Sequence, residues 1–546
     1  HLLNLALKAD ASQARYHFAL GDLLASAGNV QSGALALSEA LRLDPQLPNA
    51  RRAFARAALN CGRVAEAEAS ARVLLSQAPD ADAWDILSCA LREQERVPEA
   101  VAAAEEALKL APSWQAARHN WAVAIGLAGR VEEALAAFEQ LAAQGLRAGA
   151  LAVNHGAALL ELGRAGEAEA MLCAAAAEWP FDMDLQVALA KARWLSGAGE
   201  VFTAAYEDAI ARNPGAVRFR VGCIDLLSRA GFADKAEEML QKGLHRTPGD
   251  PALIEALGAL WDASDKFEQA APLLEAALER DPERDGIRSR WVTTLLRMGR
   301  PAEALAALAP VRADAPLNQI WIAFECLALR QLGDARYHWL CDYQSMVRAY
   351  ELPVPPGYSS AAAFNEALAA SLMPLHVARH HPLDQSLRQG TQSTRNLTQI
   401  DDPVVRAFLA ALSDPLREYI AQMRDPEHPW SGRKSEGFKL ANAWSVRLKA
   451  NGFHVNHVHP QGWISSAYYV ALPEVMASGQ GQEGWIKFGE PPAPMPGCAV
   501  ERMIEPQVGR LVLFPSYMWH GTVPFSAGER LTAPFDVVPV LSPGAT

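Results

Sequence analysis

"FALGDLLASAGNVQSGALALSEALRLDP", Phe18–Pro45, reads as two helices around one turn. Gly28 stands where the first helix must stop, because glycine enters left-handed backbone without a Cβ clash. Leu20-Gly21 and Ala40 are small-residue positions where two helices can approach closely. Pro45 lacks the N–H that a continuing helix needs. The same punctuation recurs. Prolines fall at 45, 79, 112, 180, 214, 248, 282 and 316, and glycines at 28, 62, 129, 163, 197, 231, 299 and 333. Two residue types thus keep one beat, and Gly145 stands where the long proline step skips one.

That beat, 34 residues, is the tetratricopeptide length, and residues 1–335 resemble about nine such repeats. One helical hairpin cannot bury its apolar face alone, so the units must stack into an α-solenoid with a groove. The resemblance implies a protein or peptide partner and no chemistry of its own. Asn120 and Asn154 are one repeat apart and should stack on one face. An amide pair could hold a peptide backbone in the groove, or could be satisfied by neighbouring turns.

A chain of 546 residues exceeds one ordinary core, so several domains are expected. The net charge of -12 argues against nucleic acid as partner. The seven cysteines form no C-x-x-C pair. Cys61, Cys173 and Cys223 sit among Ala and Leu as small apolar fillers, which suits a reducing, cytoplasmic setting. No apolar run is long enough to span a membrane. The chain opens at His1 inside a helical pattern, so its natural start is expected further upstream.

After residue 340 the grammar changes. "PVPPGYSS" reads as extended chain, and 336–360 as a linker. Helices are expected at about 360–378 and 402–424. "HHPLDQSLRQGTQSTRNL" is too irregular for a helix. From about 439, "AWSVRLKA", "WISSAYYVALP", "GWIKFGEP", "GRLVLFPSY", "GTVPF" and "RLTAPFDVVPV" read as short strands between Gly/Pro turns. The fold class is therefore multidomain α + β. A helical solenoid precedes a β-sandwich or jelly-roll domain with flanking helices, over 361–546.

Within that domain, "GFHVNHVHPQGWISSAYYV" carries three histidines in six residues. In an extended strand His457 and His459 point together and His454 points away, to surface or packing. His520 follows at a strand edge, then Arg530 and Thr532 on one face. Two close imidazoles, a remote one and a downstream guanidinium suit a metal-dependent oxygenase that grips a dicarboxylate.

"HPLDQSLRQGTQS", "AWSVRLKANGFHVNHVHPQGWISSAYYVALP" and "GRLVLFPSYMWHGTVPF" with "ERLT" resemble the Fe(II)- and 2-oxoglutarate-dependent dioxygenases, in the prolyl-hydroxylase-like superfamily. The likeness is to a bacterial branch often fused to tetratricopeptide repeats, and implies a double-stranded β-helix. It implies that His457 and His520 bind iron and that Arg530 pairs with the distal carboxylate of 2-oxoglutarate, assisted by Thr532 and Tyr469. Trp463 and Ser465 are expected to line the pocket. The wider superfamily has an acid where His459 stands. His459 could ligate, could leave the site to two histidines and a water, or could yield to Asp536 or Glu483.

The resemblance makes O₂ and 2-oxoglutarate co-substrates, and the repeats favour a polypeptide substrate. A non-catalytic metal-binding scaffold and a cupin-like metalloenzyme without 2-oxoglutarate are the alternatives. Arg530 speaks against the latter, since a hydrolase needs no dicarboxylate clamp.

Overall fold

Helix pairs follow the proline and glycine beat from Ala14 to Leu332 in the computed structural model. It describes residues 3, 7–8, 10–47, 49–477 and 481–540; His1 lies outside the described residues. Helices Ala14–Ser26 and Val30–Leu43 flank Gly28, whose φ of 85° is the left-handed turn expected. A Cβ on Gly21 would stand 2.6 Å from Leu37 Cγ and 2.9 Å from the Gly33 carbonyl oxygen. Glycine there sets how closely the two helices meet. The last repeat helix, Gln319–Leu332, is capped by the Asn318 carboxamide on Ile320 N and Trp321 N and ends on left-handed Gly333.

The chain forms two compact units, His1–Leu162 and Gly163–Thr546. The second contains later repeats as well as the β region, and one apolar core runs through both. Phe324 meets Trp519 edge-on at 5.9 Å, and Trp519 Nε1 donates to the Ala323 carbonyl at 3.2 Å. Arg330 donates to the carbonyls of Gly489 and Ala499, each at 2.8 Å, and pairs with Glu501. The repeats of this unit thus form part of the packing that holds up the sheets.

Eleven strands are present among the described residues: β1 Arg348–Glu351, β2 Leu387–Gln392, β3 Gly437–Ala443, β4 Val446–His454, β5 Ile464–Ala471, β6 Ile486–Phe488, β7 Arg502–Ile504, β8 Arg510–Pro515, β9 His520–Thr522, β10 Arg530–Thr532 and β11 Phe535–Val540. All pairings are antiparallel. The larger sheet runs β1-β8-β5-β10-β4-β2, with β11 joining β5 to β3; the smaller is β7-β6-β9. β5 is buried along most of its length, which is why "ISSAYYVA" lacks the alternation of a solvent-facing strand. Helices Ala361–Leu372, Pro403–Ala411 and Ser413–Ala421 flank the sheets, Phe408 stacking near Tyr468.

Several expectations change. Residues 336–360 are more than a linker: they hold helices Arg336–Leu340 and Tyr343–Met346 and edge strand β1. Tyr337, Tyr343 and Met346 are buried there and belong to the core, while Trp339 stays exposed. The irregular "HHPLDQSLRQGTQS" stretch ends in β2. Cys223 is buried as expected, whereas Cys173 is exposed and Cys61 half-buried; no described cysteine is in a disulfide. No helix among the described residues is long and apolar enough to cross a membrane.

Candidate metal centre and anion site

β4 ends at His454, and the chain then turns instead of continuing its alternation. His457 and His520 exchange backbone hydrogen bonds of 2.8 and 3.0 Å as an isolated bridge, and His459 N donates to the Ser516 carbonyl at 2.9 Å. These bonds pin the His-Val-His segment against β9 and the end of β8. The imidazole centroids lie 4.3 Å (457–520), 5.0 Å (457–459) and 5.1 Å (459–520) apart. One ring nitrogen from each lies within 4.8 Å of the others, a spacing that could hold a metal ion.

The outer nitrogens decide what the inner ones offer. His457 Nδ1 is 2.8 Å from the Val455 carbonyl, His520 Nδ1 is 2.9 Å from that of Met518, and His459 Nδ1 is 2.7 and 2.8 Å from the Asp536 carboxylate oxygens. A carbonyl or carboxylate can only accept, so each Nδ1 carries a proton, which in a neutral imidazole leaves Nε2 with its lone pair. His457 Nε2 and His459 Nε2 face each other at 3.1 Å. Burial above all pushes His457 down to about 3, and burial likewise holds His520 well below the usual imidazole range. These two are neutral donors at pH 7.

Asp536 gives the acid a different place from the one expected. It reaches His459 from behind, and it also accepts from Ser465 Oγ at 2.6 Å. Glu483 binds Ser526 N and Oγ instead, at 3.0 and 3.1 Å. A carboxylate behind an imidazole fixes its tautomer and raises its basicity. The missing negative charge is thus present, one residue further out. Two bulky rings, Phe514 at 4.5 Å and Phe488 at 6.2 Å, pack on His520.

Arg530 lies on β10 opposite Leu448 of β4, and Thr532 opposite Tyr469 of β5. All three side chains named in advance here are buried: Arg530 is 2% exposed, Thr532 5% and Tyr469 1%. Arg530 Nη1 donates to the Gly484 carbonyl at 3.1 Å, yet among the described residues Arg530 Nε and the Tyr469 hydroxyl have no hydrogen-bond partner. Burial pushes the Tyr469 phenol up to about 12, with the Arg530 charge acting against it, so it stays a neutral donor. A buried guanidinium without a carboxylate, beside an unsatisfied hydroxyl, is chemistry that fits an anion.

His454 departs from its expected place. It is half-buried, its ring stacks on His457 at 6.0 Å, and Ser386 Oγ lies 2.9 Å from its Nδ1 and 3.2 Å from His457 Nε2. Strand alternation misplaced it because the strand ends there. Trp463 is fully buried and donates to the Trp430 carbonyl, so it is core. Asn120 Nδ2 donates to Asp85 at 2.8 Å and Asn154 Nδ2 approaches His119 Nε2 at 3.1 Å. Both amides reach back to the preceding repeat. A cleft of about 320 Å³ lined by Trp339, Asp425 and His428 shares no residue with the histidine cluster.

Residues 442–536 match the family model described as "Putative 2OG-Fe(II) oxygenase", and 1–48 and 263–323 match tetratricopeptide-repeat models. The chain carries tetratricopeptide repeats and a domain of the putative 2OG-Fe(II) oxygenase family. No curated protein matches it. Among solved structures it is similar to a thermophilic tetratricopeptide-repeat protein of Thermus thermophilus, 24% identical over 33% of this chain and 100% of that one, with a TM-score of 0.31. It is similar to yeast Tom70, 12% identical over 77% and 92%, TM-score 0.36. It is also similar to a Pseudomonas putida prolyl-4-hydroxylase, 17% identical over 37% and 96%, TM-score 0.26. The oxygenase-family match spans both histidine segments, Arg530, Thr532 and Asp536, and leaves Ser386 outside it.

Proposed function

We propose that this chain is an Fe(II)- and 2-oxoglutarate-dependent dioxygenase that hydroxylates a protein or peptide recruited by its repeats. The supporting observation is the pairing of three converging imidazoles with a buried guanidinium that has no acid among the described residues. His457, His459 and His520 would hold the iron, with Asp536 behind His459 in place of the usual carboxylate ligand. Arg530 would take the distal carboxylate of 2-oxoglutarate, with Tyr469 and Thr532 donating to it.

Iron, O₂ and 2-oxoglutarate together supply an oxidant able to take hydrogen from an unactivated C–H bond, with release of succinate and CO₂. The residues prepare for this. Val455, Met518 and Asp536 hold the three rings in one tautomer. Phe488 and Phe514 keep water from His520, and the buried Arg530 orients the co-substrate in a medium where its charge is little screened. We assign recruitment to residues 1–335 and chemistry to 361–546 with β1. Asn120 and Asn154 are not singled out as a peptide grip, because their amide donors are engaged between repeats. The unpaired cysteines suit a cytoplasmic setting.

The test is anaerobic purification, addition of Fe(II) and 2-oxoglutarate, admission of air, and measurement of succinate with cell extract as substrate source. Succinate formation that His520→Ala abolishes supports the reading. Absence of succinate from the wild-type chain overturns it.

A further inference from the structure

Loop 377–386 connects a repeat helix to the histidine centre. On the repeat side, helix Met183–Ser196 presents Trp194, whose Nε1 donates to the His381 carbonyl at 2.7 Å. The indole lies 4.8 Å from the His380 ring and 5.6 Å from that of His381. Arg379 N donates to the Leu195 carbonyl at 3.2 Å, and Lys191 pairs with Asp384 at 2.9 Å. Leu383, 4% exposed, belongs to the same apolar cluster as Trp194, Phe202 and Leu257. Four kinds of contact therefore fix this stretch of loop on the repeats.

Three residues after Leu383 the loop reaches the site. The Ser386 carbonyl accepts from Val455 N at 3.0 Å, and its hydroxyl lies within hydrogen-bond distance of both His454 and His457. His454 is further held by its backbone N–H on Thr522 Oγ at 2.9 Å. Its Nε2 has no hydrogen-bond partner among the described residues. Thr522 is followed by Val523, whose carbonyl accepts from Gly484 N at 3.1 Å, and the Gly484 carbonyl accepts from Arg530 Nη1 at 3.1 Å. His454 thus neighbours the metal cluster on one side and the guanidinium on the other.

We propose that His454 and Ser386 form one wall of the co-substrate site, and that the repeat helix holds this wall in place through loop 377–386. The proposal rests on the oxygenase reading and extends it: the repeats of the second unit become part of the catalytic unit. His454 offers the co-substrate a hydrogen-bonding edge, while Leu383 and Trp194 act only by positioning.

The test uses the full chain loaded with Mn(II), titrated with 2-oxoglutarate by calorimetry, with Mn(II) affinity measured separately. His454→Ala should weaken 2-oxoglutarate binding about tenfold, the loss of one hydrogen bond to a charged group. Leu383→Ala should weaken it about threefold by loosening the wall, with Leu383→Met restoring it. The gentler pair His380→Ala/Asp384→Ala should act in the same direction if Leu383→Ala does not fold. Mn(II) affinity should stay at the wild-type value in all of them. Wild-type 2-oxoglutarate affinity in His454→Ala, or in both loop variants, overturns the proposal. Failure of the wild-type chain itself to bind 2-oxoglutarate brings down the oxygenase reading and this proposal together.

Discussion

The histidine cluster, pinned to β9 of the smaller sheet, and the Arg530 site, on β10 of the larger one, are finished in opposite ways. At the histidines every outer donor is spent, on Val455, Met518 or Asp536, and what remains is the Nε2 side of each ring. At Arg530 and Tyr469 the acceptors are missing, and what remains is donors. Leaving a buried donor unmade costs about 1–3 kcal/mol. The fold carries that cost at Arg530 and avoids it at the histidines. The first place is complete until a cation arrives; the second is incomplete until an anion does.

Truncating one side of each half breaks this comparison most sharply. His520→Ala removes one of three donors, and divalent-metal affinity, read by Mn(II) titration, should fall by at least about a hundredfold. Arg530→Ala should leave metal binding intact and weaken 2-oxoglutarate by about 2–5 kcal/mol, the range for truncating a buried charged partner. Arg530→Lys should recover only part, since an ammonium lacks the planar fork. Equal loss of metal affinity in both variants would show the two halves to be one site.

Asp536→Asn sharpens the cation half. It keeps shape and removes the charge behind His459, so metal affinity should fall about 10- to 100-fold. 2-Oxoglutarate affinity at saturating metal should hold. His459→Asp asks the converse: retained metal binding there would support a ligand role at that position.

Much of this was legible in the sequence because it rested on periodicity. Proline and glycine spacing placed the helix pairs, and turn residues separated most of the strands. His457, His459, His520, Arg530, Thr532 and Tyr469 were named, and the first three meet while the last three are buried together. What could not be read depends on contacts far along the chain. β1, β2, β3 and β7 are short or lie in stretches whose composition does not favour strands. Ser386 is an ordinary serine until the loop docks, and Asp536, named as a substitute ligand, instead stands behind His459, 77 residues away in the chain. His454 went wrong for a local reason: alternation holds only while a strand lasts.

The smallest effect concerns a polar pair in the first unit, where nothing is left over. Asn120 donates to Asp85, a carboxylate only 4% exposed, and Asn120→Ala should destabilise the chain by about 1 kcal/mol at pH 7. The sign with pH follows from Asp85. Burial raises its pKa in the folded chain, and the Asn120 hydrogen bond partly opposes that rise. The folded state therefore binds more protons than the unfolded one just above the ordinary carboxyl range, and Asp85 costs stability as pH rises through its folded pKa. Without Asn120 that pKa climbs further, so the penalty of the substitution should shrink as pH is lowered towards the ordinary carboxyl range. Chemical unfolding of wild type and Asn120→Ala at pH 7 and at about pH 4.5 measures this. A penalty that stays the same at both values would mean that the amide contributes packing alone, and that its 34-residue echo at Asn154 is no guide to the polar contacts between repeats.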